Sequence, residues 1–95
     1  MTAIVYSQSA AHDLERLADF LRESDPHAAL ATSTLIMESI GLLAQHPLIG
    51  RSLGGNRREL VMFRGRSGYL ARYTFSAARD AVLVLSIRHH RELDS

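Results

Sequence analysis

The hydrophobic period of this chain changes once, near residue 50, and that change limits what it can fold into. Upstream, Leu14, Leu17, Ala18 and Leu21 follow an i, i+3, i+4, i+7 spacing, with Ala10 one turn earlier. The spacing predicts an amphipathic helix with one buried stripe. Asp13, Glu15, Arg16, Asp19 and Arg22 fill the remaining positions, and Ser7 and Ser9 offer caps ahead of it. Asp25-Pro26 then signals a second helix, because Asp caps well and Pro fits a first helical position whose N–H would be unpaired anyway. That helix should run from Pro26 to about Gln45, with Ile36, Met37, Ile40, Leu43 and Ala44 as its main stripe. Leu30, Leu35 and Leu42 lie outside the stripe, so the apolar face is wide. A wide face implies deep cover by the chain's own sheet or a second chain against its flank.

Downstream the period is two. Residues 59–63, 69–75 and 81–89 read as strands, and AIVY at 3–6 reads as a first strand ahead of the helices. The stretch 46–58, HPLIGRSLGGNRR, reads as a loop with Gly50, Gly54 and Gly55 permitting turns. The last strand is apolar on both faces at its start, which places it centrally in the sheet. The expected order is β-α-α-β-β-β: an α+β fold, a helical hairpin packed on a largely antiparallel four-stranded sheet. Ninety-five residues make one domain, taken as 1–95.

The charge distribution is uneven. Residues 1–50 carry six acids and two Arg, a balance of −4, while residues 51–95 carry nine Arg and four acids, a balance of +5. The basic half suits a polyanion, an acidic protein segment, or plain solvation. All eleven basic residues are Arg, so any proton transfer falls to His, carboxylates or Tyr. No Cys is present, which removes disulfides and thiolate metal sites. Adjacent His89 and His90 on a strand should point to opposite faces, and no His-x-His or Glu-x-x-His spacing occurs, so no metal is expected. No phosphate-binding glycine motif is present either, so no cofactor is expected. No apolar run approaches the roughly 18 residues of a membrane span, and the N-terminus lacks the pattern of a secretory signal. A cytoplasmic location is the expectation.

The candidate chemistry gathers at the end of the last strand, SIRHHRE, residues 86–92. If Phe75 pairs with Ala81, then Tyr73 faces Leu83, Arg72 sits opposite Val84 and Leu70 opposite Ser86. Arg72, Ser86, Arg88 and His90 then share one face, and His89 joins Tyr69, Tyr73 and Ile87 on the other. The RGRSG turn, 64–68, adds Arg64 and Arg66 at the same end. Three readings stand. The cluster contacts phosphates or another anion through Arg forks. It cleaves RNA, with Glu59 or His90 as base, His89 or His90 as acid and Arg72 as the cation. Or it solvates the end of a buried strand.

Taken together, S-x-x-A-x-x-D-L from Ser7 to Leu14, HPLIGR at 46–51, RELVMFRGRSGYLARY at 58–73 and VLVLSIRHHRE at 82–92 resemble the RelE/ParE superfamily of small bacterial toxins. The ending is similar to the ParE-like branch. The resemblance implies a type II toxin neutralised by a cognate antitoxin in a hetero-oligomer. It also implies one of two targets: DNA gyrase, inhibited without catalysis, for ParE-like members, or mRNA cut on the ribosome for RelE-like members. The Lys residues common in the nuclease branch are missing, which favours gyrase and a non-enzymatic role. Target contacts are then expected at Arg64, Arg66, Arg72, Arg88, His90 and Arg91. A nuclease would use Glu59, Arg72, His89 and His90. Antitoxin contacts are expected at Leu35 and Leu42.

Overall fold

The computed structural model describes residues 1–93. Its elements are β1 (Ala3–Tyr6), α1 (Gln8–Ser24), α2 (Pro26–Gly41), β2 (Arg51–Gly54), β3 (Arg57–Arg64), β4 (Ser67–Ser76) and β5 (Ala81–His89). Short 3₁₀ turns follow α2 at Leu42–Ala44 and β5 at His90–Leu93. Both helix starts follow from their caps. Ser7 Oγ accepts from the Ala10 amide at 3.0 Å, and Asp25 Oδ1 accepts from the His27 and Ala28 amides at 3.0 and 3.3 Å.

The five strands form one sheet in the order β1-β5-β4-β3-β2, with β1 parallel to β5 and the other pairs antiparallel. The α+β class and the central last strand agree with the sequence reading; the strand count does not. The stretch read as a loop contains β2, paired with β3. Its four residues are all exposed, so no burial signal marks it. The turn does: Gly55 adopts a φ of 59°, and a Gly-Asn pair between extended segments is a hairpin signature.

Both helices cover one face of the sheet. Leu17, Ile36, Ile40 and Leu43 pack there against Met62, Tyr69, Ala71, Tyr73, Val82, Val84 and Ile87. Burying a side chain of that size is worth about 1.5–3 kcal/mol. The stretch Pro26–Ala44, 19 residues with a mean hydropathy of 1.3, is long and apolar enough to cross a membrane, which the sequence reading denied. In the fold it supplies Ile36, Ile40 and Leu43 to the core. Met37, expected on the buried stripe, is 49% exposed. The opposite face of the sheet, bearing Val5, Val61, Phe63 and Leu83, is left open.

The β4–β5 register differs from the one expected. Ser76 pairs with Ala81, Phe75 with Val82 and Tyr73 with Val84, one residue away from the sequence assignment. A bulge at Leu85 then shifts it again, and Arg72 pairs with Ser86 and Tyr69 with His89. Two causes are visible. Asp80 closes the turn at a φ of 48°, a conformation Asp tolerates better than most residues, so four residues connect the strands rather than five. The bulge then exchanges the two faces of β5. Val82 and Val84 face the core before it, and Ile87 does after it.

Candidate functional site

Across the open face of the sheet, Glu59 on β3 stands beside Arg72 on β4, which stands beside Ser86 on β5. Glu59 is only 4% exposed. Arg51 Nη2 donates to its Oε1 at 2.7 Å, and Arg72 Nε donates to its Oε2 at 3.1 Å. Burial pushes the carboxyl up, but the hydrogen bonds and charges of Arg72 and Arg51 outweigh that and hold it below its ordinary range. Arg51 was not among the residues singled out from the sequence; it lies on the strand that reading missed.

The two histidines sit at the far end of the sheet. His89 closes β5 on the core side, in edge contact with Tyr69 at 5.1 Å, and its Nδ1 accepts from the Arg91 amide at 3.1 Å. His90 begins the 3₁₀ turn, so strand alternation has already ended. The two rings therefore stack, with centroids 4.6 Å apart and planes at 28°. This corrects the expectation that the pair diverges. His90 Nδ1 lies 3.1 Å from both the amide nitrogen and the carbonyl oxygen of Gly68. A side chain at residue 68 would meet this ring and Phe63, which places the imidazole over the open face. Gly68 is four residues from Arg72 along β4, or about 13 Å of strand. Neither histidine faces Arg72; Ser86 does.

Arg88 reaches α1, where its Nη1 donates to Asp13 Oδ1 at 2.8 Å. The same carboxylate accepts from the Ile87 amide at 3.0 Å through Oδ2. Asp13 is 3% exposed, although the sequence reading put it on the polar side of its helix. A usable signal existed: Ala10, Asp13 and Leu17 fall on one stripe at i, i+3, i+7. Ser7 Oγ donates to the Leu85 carbonyl at 3.2 Å. β1 pairs with β5 only as far as Val84. Ser7 and Asp13, the polar members of the S-x-x-A-x-x-D-L motif, thus satisfy the edge of β5 that β1 leaves bare.

Arg64, Arg66 and Arg91 are exposed at the sheet end where β5 finishes, and no ion pair engages them among the described residues. Of the expected antitoxin contacts, Leu42 is exposed and Leu35 half-buried. The HPLIGR segment is built tightly. Tyr73 Oη donates to the Pro47 carbonyl at 2.8 Å and accepts from the Gly50 amide at 2.9 Å. Arg58 Nη1 donates to the carbonyls of Leu48 and Gly50 at 3.1 and 2.8 Å.

A two-helix hairpin on a five-stranded sheet, with an Arg-rich sheet end, defines a small α+β domain. A family model described as the ParE toxin of type II toxin–antitoxin systems matches residues 4–94. The chain is 35% identical over 92 residues to toxin RelE3 of Caulobacter vibrioides, covering 97% of this chain and 98% of that one. It belongs to the RelE/ParE superfamily of type II toxin–antitoxin toxins. Its fold is similar to a chain of the chromosomal ParDE system from P. aeruginosa, with a TM-score of 0.76, 22% identity, and coverage of 94% of this chain and 96% of that one. It is also similar to a chain of the intact E. coli RelBE toxin–antitoxin complex, with a TM-score of 0.64, 16% identity, and coverage of 92% and 94%.

Proposed function

We propose that this chain is a ParE-like toxin that arrests growth by binding DNA gyrase, performs no RNA cleavage, and is held inactive by a cognate antitoxin. The observation that carries this reading is the separation of the would-be nuclease groups. Cleaving RNA at a 2′-OH requires a base and an acid on either side of one phosphate, with a cation on its oxygens. Here one base candidate, Glu59, is buried and clamped by two arginines in mid-sheet, and the other, His90, stands beside Gly68 at the sheet end, away from the cation candidate Arg72. The depressed pKa of Glu59 makes it a poor proton acceptor. The cation candidate Arg72 donates its Nε–H to Glu59, which offsets part of its charge. The acid candidates, His89 and His90, are stacked at the sheet end, three to four residues along β4 from Arg72, roughly 10–13 Å of strand.

Binding makes no such demand. Arg64, Arg66 and Arg91 are exposed together at the end of the sheet, and Arg forks suit carboxylates and phosphates alike. Arg72 and Arg88, expected as target contacts, already engage Glu59 and Asp13; they shape the surface that the exposed arginines present. A cytoplasmic location follows from the proposed target.

The relatives named RelE make the ribosome-dependent nuclease the second reading, and one assay separates the two. Purified chain is added to ribosomes translating a defined mRNA. Intact message is expected. Clean cuts in the message, abolished by Arg72→Ala, would overturn the proposal.

A further inference from the structure

Beyond Glu59 the open face continues along β3 as Val61 and Phe63, opposite Leu70 and Gly68 on β4. β2 ends its pairing at Glu59, so past that point β3 has a strand on one side only among the described residues, and both side chains are exposed. Phe63 is nonetheless supported. It lies against the bare backbone of Gly68, where a Cβ would come within 3.3 Å of the ring. An aromatic side chain seated in this way is an anchor that loses little freedom on binding. At the other end of the row, Glu59 draws two guanidinium groups to one carboxylate. Arg72 gives it Nε alone, so its two terminal nitrogens keep their donors among the described residues. Arg51 gives one terminal nitrogen and is largely exposed. A buried anion thus fixes two Arg forks side by side on an open surface.

We infer that the Arg51–Arg72 pair seats a carboxylate of the target protein, with Val61 and Phe63 as the apolar contact beside it. The inference rests on the reading above that the chain binds gyrase. It adds the face used and the kind of segment met there: an acidic side chain with a large apolar one about 7–13 Å away, the span from Glu59 to Val61 and Phe63 along β3. Guanidinium forks suit carboxylates and phosphates alike, so the neighbours decide. Nucleic-acid interfaces are much more positively charged than protein ones. Here Glu59 offsets part of the charge, and exposed Val61, Phe63 and Leu83 share the face. An aromatic and apolar patch with Arg beside it is the make-up of a protein–protein contact. A second copy of this chain would set arginine against arginine. Glu59 also explains how so small a seat can contribute: it has already gathered both guanidinium groups, so less ordering remains to be done on binding.

The test is inhibition of purified gyrase by the full chain, wild type against Arg51→Ala and Phe63→Ser made separately. Both side chains are largely exposed, so both variants should fold, as thermal melts would verify. Each should raise the dose needed for half-inhibition of supercoiling roughly tenfold or more, as loss of a central contact does. Arg51→Ala should also flatten the salt dependence of inhibition, and Phe63→Ser should leave it as in the wild type. Arg79→Ala, in the exposed β4–β5 turn away from this row, should inhibit at the wild-type dose.

Wild-type inhibition by folded Arg51→Ala and Phe63→Ser would overturn the inference while leaving the gyrase reading in place. If Arg51→Ala also bound a single-stranded RNA oligomer more weakly than the wild type does, the face would be reassigned to phosphates. Absence of inhibition by the wild-type chain would remove the gyrase reading, and this inference with it.

Discussion

Gly50 has no side chain because Tyr73 stands where one would go. A Cβ at this position would lie 2.6 Å from the Tyr73 hydroxyl and 3.0 Å from the Glu59 carbonyl. Tyr73 is fully buried and tethered at both ends of the Pro47–Gly50 segment, so it cannot swing aside. Gly50→Ala should therefore lower stability by about 1–3 kcal/mol, the usual cost of overpacking, read as a drop in the urea midpoint with an unchanged slope. The sequence reading gave Gly50 a turn-permitting role, but its φ is not positive, unlike those of Gly54 and Gly55. The reason for the glycine is a contact across 23 residues, which no local pattern encodes. Glu59 presents a similar case. Its place on a strand was legible, but its two arginines were not, since one lies on a strand whose exposed residues hide it. Glu59→Gln should cost about 1–3 kcal/mol at neutral pH, towards the low end because both arginines are partly exposed. The folded-state pKa lies below the unfolded one. The contribution is thus present above the ordinary carboxylate range and lost as pH falls through the folded value. Urea titrations at neutral pH and near pH 3 should show the gap between wild type and variant closing in acid.

At the scale of elements, β5 outruns its parallel neighbour. β1 stops pairing at Val84, and α1 takes over as the cover for the exposed edge through Ser7 and Asp13. Asp13 holds the position of the last residues of β5, and hence of the His89–His90–Arg91 turn. Asp13→Ala should leave the Ile87 amide buried without a partner and release Arg88. A loss of about 1–3 kcal/mol is expected, with faster hydrogen exchange at Ile87 and unchanged protection across β3 and β4. Protection at Ile87 equal to wild type would show that another group caps this edge. Most elements were legible because their causes are local: the Ser7 and Asp25 caps, the proline at the start of α2, the alternation of β4. The bulge at Leu85 was not. It depends on where β1 ends and on the four-residue turn at Asp80. A single inserted residue is enough to bring Val84 and Ile87, three positions apart, onto the same core face.

Across the whole molecule, the helices take one face of the sheet and leave the other to solvent, with Phe63 68% exposed on it. The charge imbalance read from the sequence becomes a spatial one, because the Arg-rich half builds the strands from β2 onward and the turns at one end of the sheet. The fold class and the membership of the toxin superfamily were accessible from residue order alone. The arrangement of the site was not, because it turns on distances between strands: Arg72 beside Glu59, the histidines stacked far from both. The central claim is that such a surface binds its target and does not cut RNA. The most direct measurement is supercoiling of relaxed plasmid by purified gyrase, titrated with this chain and then with its antitoxin. Dose-dependent loss of supercoiling, restored by the antitoxin, is the predicted result. Undiminished supercoiling at every dose, from a preparation that arrests growth when expressed, would contradict it.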